Sequence, residues 1–190
     1  MLNKVMSEDD WTHIMWIDAD IGFKPEYIHS MILDDKDIVG GLYTKKNFPV
    51  DFASSPAPDT EESESLFETT YVATGFMLIK REVVEKMMEH YKDELKFSYQ
   101  GSEDLVHLFH PIIDKERNNL FLSEDYAFCK RARDIGVKCY MSKRFELSHT
   151  GSIEFSAENE NAIIDKFEQQ GRLTVNKDAK VNYFSATTNK

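Results

Sequence analysis

Two aspartates one residue apart, Asp18 and Asp20, follow directly on the apolar run His13-Ile14-Met15-Trp16-Ile17. In extended chain, positions i and i+2 point to the same side, so both carboxylates can face one ion. A hard cation such as Mg2+ or Mn2+ takes carboxylate oxygens and keeps positions open for substrate phosphates. Its charge would stabilise a diphosphate as a leaving group. The same triplet serves elsewhere as a solvated turn or a helix cap; its place at the end of an apolar strand sets it apart here. A second acidic pair, Glu124-Asp125, follows Ser123 and opens a helical run. One reading makes Ser123 the N-cap, with the acids favoured at the positive helix end by roughly 1 kcal/mol. The other makes Asp125 a general base for an acceptor hydroxyl, kept ionised by that same helix end. His149, ahead of Thr150-Gly151, offers either an imidazole ligand for a Mn2+-type ion or a hydrogen-bonded structural residue. His107 and His110, near Glu103 and Asp104, lie in a stretch without clear pattern and are not read as ligands.

These residues need elements to position them. The run 13–17 is bounded by polar residues and reads as a strand buried on both faces. Pro25 can open a helix in which Tyr27, Ile28, Met31 and Ile32 recur at helical spacing. Asp37 to Tyr43, with its glycine pair, reads as a second strand, and Tyr71 to Ile79 as a third. Arg81 to His90 is a helix with Val83, Val84, Met87 and Met88 on one side. Glu124 to Ile135 is a helix with Tyr126, Phe128, Cys129 and Ala132 inward, closed by Gly136, and Val137 to Met141 is a strand. A last helix is expected from Ala157 to Gln170, with a frayed tail over 181–190. Residues 51–68 are rich in Ser, Pro, Asp and Glu, and 53–66 read as a mobile acidic surface loop. Strands alternate with helices, which predicts one α/β domain with a mostly parallel central sheet flanked by helices. In such sheets ligands sit beyond the carboxyl ends of the strands, where Asp18 and Asp20 lie.

Composition narrows the partners. The chain has 190 residues, 41% of them apolar, with 13 Phe and 8 Tyr as bulky core material. That suffices for one domain with a sizeable core. The formal net charge of −11 opposes binding to phosphate backbones and favours divalent cations, so no nucleic-acid partner is expected. Cys129 and Cys139 have no CxxC spacing and read as two buried thiols. There is no run of 18 apolar residues and no apolar leader at the start, so no transmembrane segment is expected and the default location is a cytoplasm.

The order of the blocks carries more than any one of them. An apolar strand runs into Asp18-Ala19-Asp20-Ile21. Phe23-Lys24-Pro25-Glu26, Ile38-Val39-Gly40-Gly41-Leu42-Tyr43 and Thr74-Gly75-Phe76-Met77-Leu78-Ile79-Lys80-Arg81 come next. Ser123-Glu124-Asp125-Tyr126 and Ser148-His149-Thr150-Gly151 complete the series. This string resembles glycosyltransferases of the GT-A fold, in particular the family-2-like group that includes large-DNA-virus and phage enzymes. The resemblance runs from about His13 to Gly151. It implies a Rossmann-like nucleotide-diphospho-sugar transferase fold and a Mn2+ or Mg2+ ion on Asp20 and His149. Asp18 would touch the ribose, or the metal through water. Asp125, beside Glu124, would be the catalytic base of an inverting reaction. Gly75 and Phe76 would border the sugar and acceptor, with Gly40, Gly41 and Tyr43 lining the same cleft. The donor would be a nucleotide-sugar, most simply a UDP-sugar, the acceptor a glycan or other hydroxyl compound, and the location the host cytoplasm if the chain is viral. Members of the group carry a βαβ unit ahead of the Asp-x-Asp strand to hold the nucleobase and ribose. Only about a dozen residues precede that strand here, too few for such a unit, so the expectation is a fragment of a longer chain. The alternatives are a nucleotide site completed by another chain, or a non-catalytic sugar-binding or structural module of the same fold. A haloacid-dehalogenase-type phosphatase also begins with a strand and Asp-x-Asp, but it needs a later Gly-Asp dipeptide that this chain lacks.

Overall fold

A computed structural model describes residues 2–46, 51–56, 65–151 and 154–155. Its elements, in chain order, are α1 (Leu2–Val5), β1 (His13–Ile17), β2 (Ile21–Gly22), α2 (Glu26–Leu33), β3 (Ile38–Gly41), β4 (Ser54–Pro56), β5 (Leu66–Val72) and β6 (Phe76–Lys80). They continue with α3 (Arg81–Tyr91), β7 (Lys96–Tyr99), β8 (Ser102–Val106), β9 (Ile112–Asp114), β10 (Leu120–Leu122) and α4 (Glu124–Asp134). The last are β11 (Cys139–Ser142), β12 (Ser148–Thr150) and β13 (Glu154–Phe155). A six-stranded sheet in the order β1-β6-β3-β11-β5-β4 forms the centre. Among the described residues no helix is long and apolar enough to cross a membrane.

Alternation along the central strands explains why both sheet faces are covered. On β6, Met77 and Ile79 face one apolar cluster, while Phe76 and Leu78 face another; on β3, Ile38 and Val39 divide the same way. The first cluster is roofed by Val83, Val84 and Met87 of α3 and by Phe128 and Ala132 of α4. Met31 of α2 covers the second, with Phe145 and Leu147. Phe128 stacks on Phe109 with ring centroids 4.4 Å apart. Arg131, buried on α4, donates to the carbonyls of Leu108 and His110 at 2.8 and 2.6 Å and so ties the loop after β8 to the core. Cys129 and Cys139 are both buried and free. A hydrogen bond with Cys129, then burial, pushes the Cys139 thiol well above its ordinary value.

The α/β class holds, but the mostly parallel sheet does not. Of the neighbouring pairs, only β3 with β11 is parallel; β1–β6, β6–β3, β11–β5 and β5–β4 are antiparallel. The physical reason lies in residues 66–80. A helix does link β1 to β3, and these two strands point the same way because both run antiparallel to β6 between them. β5 and β6, however, come from a stretch with no helix of its own. A strand that enters without a helical crossover is free to insert in the opposite sense.

The run read as one strand over Tyr71 to Ile79 is thus two, broken at Ala73-Thr74-Gly75. Residues 93–120, which show no clear pattern, form the hairpins β7–β8 and the start of β9–β10. The reading of 51–68 as a surface loop also needs correction. Ser54–Pro56 pairs with β5, and Phe67 and Ala53 are buried in the two clusters. Polar composition misled here because β4 is an edge strand, which can keep one side in water, while Ala53 and Phe67 supply the buried apolar side chains of the stretch. Residues 57–64, the helix expected over 157–170 and the tail 181–190 lie outside the described residues.

Replacing Phe67 by Ala tests this placement. The side chain is 2% exposed, so the truncation costs about 3–5 kcal/mol of unfolding free energy in urea denaturation. A residue in a surface loop would lose no more than about 0.5 kcal/mol.

Candidate functional site

The Asp18-Ala19-Asp20 triplet is held from two sides by backbone. The β1–β6 ladder ends with Ile17 opposite Phe76, and the Asp18 N–H extends it by donating to the Gly75 carbonyl at 3.0 Å. A tight turn follows, with Ile21 N–H on the Asp18 carbonyl at 3.1 Å. β2 then pairs antiparallel with β12, placing Ile21 opposite His149, and the Thr150 N–H closes on the Asp20 carbonyl at 2.8 Å. Residues more than a hundred positions apart in sequence are thereby brought side by side. Glycine at position 22 permits this approach, because a Cβ there would run into the Ser148 hydroxyl.

His149 and Asp20 meet as a result. His149 Nδ1 lies 2.9 Å from the Thr44 carbonyl, which can only accept, so this nitrogen carries a proton. The other ring nitrogen, Nε2, stands 3.4 Å from Asp20 Oδ1. In the neutral ring Nε2 presents a lone pair toward an oxygen that also only accepts. Lys46 contacts the other carboxylate oxygen, Oδ2. The hydrogen bond from Lys46 holds the Asp20 carboxyl below its ordinary range; desolvation opposes this, and the charges of Lys46 and His149 reinforce it.

The donor set suits a small divalent cation. One imidazole nitrogen and one carboxylate oxygen stand at bridging distance, and the imidazole is oriented by a carbonyl at its far nitrogen, as metal-bound histidines are. Beside them Thr44 Oγ1 is a buried hydroxyl with no hydrogen-bond partner among the described residues. Among the described residues no three His, Cys, Asp or Glu side chains form a ligand cluster, so Asp18 does not join Asp20 and His149 as a third direct ligand. Ions of the Mg2+ type commonly take one or two protein ligands and fill the remaining positions with water and phosphate oxygens.

Tyr43 connects this corner to the second acidic pair. Its ring meets His149 edge-on, with centroids 5.4 Å apart. Its buried hydroxyl is pushed far up in pKa, first by burial and then by the negative charges of Asp18 and Asp125, with a backbone hydrogen bond from Gly75 pulling the other way. Two carboxylates from opposite halves of the chain thus act on one phenol, which stays protonated at any working pH. Gly75 leaves room for it, since a Cβ there would sit 2.6 Å from Tyr43 Cζ.

Asp125 is half-buried at the start of α4. Its Oδ1 accepts from Ser123 Oγ at 2.6 Å and from the Tyr126 N–H at 2.8 Å. Ser123 makes no side-chain cap bond to the helix backbone; its hydroxyl goes to Asp125 instead. Among the described residues Oδ2 has no hydrogen-bond partner, which leaves one oxygen oriented and one available. Tyr126 stacks on Tyr71 at 4.5 Å, and burial followed by the Asp125 charge raises its hydroxyl to about 12. Arg117 lies over the Tyr71 ring, 5.5 Å from its centroid.

Of the other expected residues, Glu124 is exposed and unpaired among the described residues. Phe76 is fully buried and packs between Phe23 and Phe145, so it supports the site from behind. Gly41 and Gly40 are buried too, and a Cβ on Gly41 would meet Phe76 and Leu147, so its close approach is to core side chains. His107 and His110 pack ring to ring at 5.3 Å beside Phe97, on the loop held by Arg131. An open cleft of about 490 Å3 bordered by Lys36, Ser65, Leu66 and Tyr140 includes none of the candidate residues. Sequence reading missed Thr44, Lys46 and Tyr126. The pair Lys45-Lys46 just past a buried strand, in a chain this acidic, was the signal available for the second.

No protein-family model matches the chain, and no curated protein sequence matches it. Among solved structures, the crystal structure of A197 from STIV is similar at a TM-score of 0.47 and 17% identity, over 79% of this chain and 63% of that one. The chain therefore spans less than two thirds of that protein's length.

Proposed function

We propose that this chain is a metal-dependent glycosyltransferase of GT-A type. It would move a sugar from a nucleotide-diphosphate sugar, most simply a UDP-sugar, to an acceptor hydroxyl with inversion. The observation that carries the reading is the grouping of Asp18, Asp20, Tyr43, Gly75, Asp125 and His149, drawn from five separate segments, around the end of β1. A core-packing or helix-capping role would scatter these residue types. Here the acids stay near the surface while the groups between them are buried.

Asp20 and His149 are the residues that would hold Mn2+ or Mg2+, whose charge offsets that of the departing diphosphate. Asp18, held to Gly75 by its backbone, keeps its carboxylate for the donor's hydroxyls. Tyr43 remains a neutral donor between the two acidic groups and separates their charges. Asp125, with Oδ1 fixed by Ser123 and Oδ2 available, accepts the proton of the acceptor hydroxyl as that oxygen attacks the anomeric carbon. Attack from the face opposite the leaving group inverts the configuration.

Two measurements test this. In calorimetric titrations of UDP with Mn2+ present, Asp20→Ala weakens binding at least about tenfold, or about 1.4 kcal/mol. Equal affinity in wild type and variant would instead favour a non-catalytic module. Asp125→Asn leaves that UDP affinity within about threefold, while transfer from a UDP-sugar, followed by NMR of the product anomer, falls about 10²–10⁴-fold, the range for loss of a general base. Unchanged transfer in this variant would remove Asp125 from the chemistry.

A further inference from the structure

Asp20 is claimed at both carboxylate oxygens, by His149 at Oδ1 and by Lys46 at Oδ2. The lysine is brought there by a defined scaffold. Thr44 bridges Phe52 across two short antiparallel arms, the Lys45 N–H donates to the Asp51 carbonyl at 2.7 Å, and the Ala53 N–H donates to the Tyr43 carbonyl at 3.0 Å. Lys45 adds an ion pair to Asp51 at 2.6 Å. The backbone leading into Lys46 is therefore pinned, and the same Thr44 carbonyl that orients His149 lies two residues before it. The Lys46–Asp20 pair itself is only partly shielded, with side chains 33% and 42% exposed, and such pairs change an equilibrium constant by no more than a few-fold. A divalent ion can displace it. The released ammonium stays tethered beside the ion, and its compact charge suits phosphate oxygens.

Resting on the metal-dependent transferase reading above, we propose that Lys46 is a tethered cation. It closes Asp20 when no divalent ion is bound, competes with that ion for the carboxylate, and on displacement moves to the donor diphosphate. Asp20 is then never left uncompensated, and the ion and the diphosphate enter in a linked way.

The test titrates the whole chain with Mn2+ alone, and with UDP at saturating Mn2+, for wild type, Lys46→Met, and Lys46→Met combined with Asp20→Asn. Lys46→Met binds Mn2+ about two- to fivefold more tightly than wild type, because the competing ammonium is gone. The gain is absent when Asp20 is also replaced. UDP binding to Lys46→Met weakens by about tenfold, a loss of one phosphate-directed charge. Equal or weaker Mn2+ affinity in Lys46→Met, or a gain that survives the loss of Asp20, overturns the competition. Unchanged UDP affinity overturns the transfer to diphosphate. If wild type binds Mn2+ and UDP while Lys46→Met matches it, the role of Lys46 alone falls. If no form of the chain binds Mn2+, the metal-dependent reading falls with it.

Discussion

Backbone hydrogen bonds pin the Asp18-Ala19-Asp20 triplet on both flanks, and the arrangement of the site follows from that. On one side the β1–β6 ladder runs on through the Asp18 N–H to Gly75; on the other, the Thr150 N–H closes on the Asp20 carbonyl. These bonds do not depend on side-chain identity, so two exposed acids keep their positions although they make few packing contacts of their own. The same ladders bring Gly75 and His149 within reach. A site built on strand ends in this way has its donors set by the sheet, while the carboxylates remain accessible to solvent and ligand.

Charge is managed by alternating groups. Moving from β12 toward α4, the side chains run His149, Asp20 with Lys46, Tyr43 between Asp18 and Asp125, then Tyr126 and Tyr71 with Arg117 beyond. Tyr43 stands between Asp18 and Asp125, while Lys46 and His149 flank Asp20. In a chain with a net charge of −11 this local ordering matters more than the overall balance. It also explains why the two tyrosines are held protonated: each is buried against an acid whose charge disfavours a phenolate.

Much of the site was legible because its residues sit at element boundaries that local patterns reveal. The abrupt end of His13–Ile17 marked Asp18 and Asp20. The apolar stripes of α3 and α4 appeared as their spacing predicts, with Val83, Val84, Met87, Phe128, Cys129 and Ala132 buried. What stayed hidden depends on pairing between distant segments. Nothing local tells that β6 inserts between β1 and β3, that Phe67 is a core residue within an acidic stretch, or that a two-residue strand at Ile21–Gly22 finds Ser148. Ser123 shows the same limit at smaller scale. Its type and position fit an N-cap, but the hydroxyl has a carboxylate two residues ahead and bonds that instead. Strand–helix alternation also overstated the parallel character of the sheet, since it does not report strand direction.

The insertion of β6 beside β1 has a consequence for how the chain is made. β1 and its partner β6 are separated by residues 18–75, so the pairing of His13–Ile17 with Phe76–Lys80 is a long-range one. Contacts of this span carry a large loop-closure cost and slow the search for the native state. Until Phe76–Lys80 has been made, Ile14 and Trp16 lack the β6 strand they pair beside. The corner that holds Asp18 and Asp20 therefore waits first for Phe76–Lys80 and then for Ser148–Thr150, whose Thr150 N–H closes on Asp20.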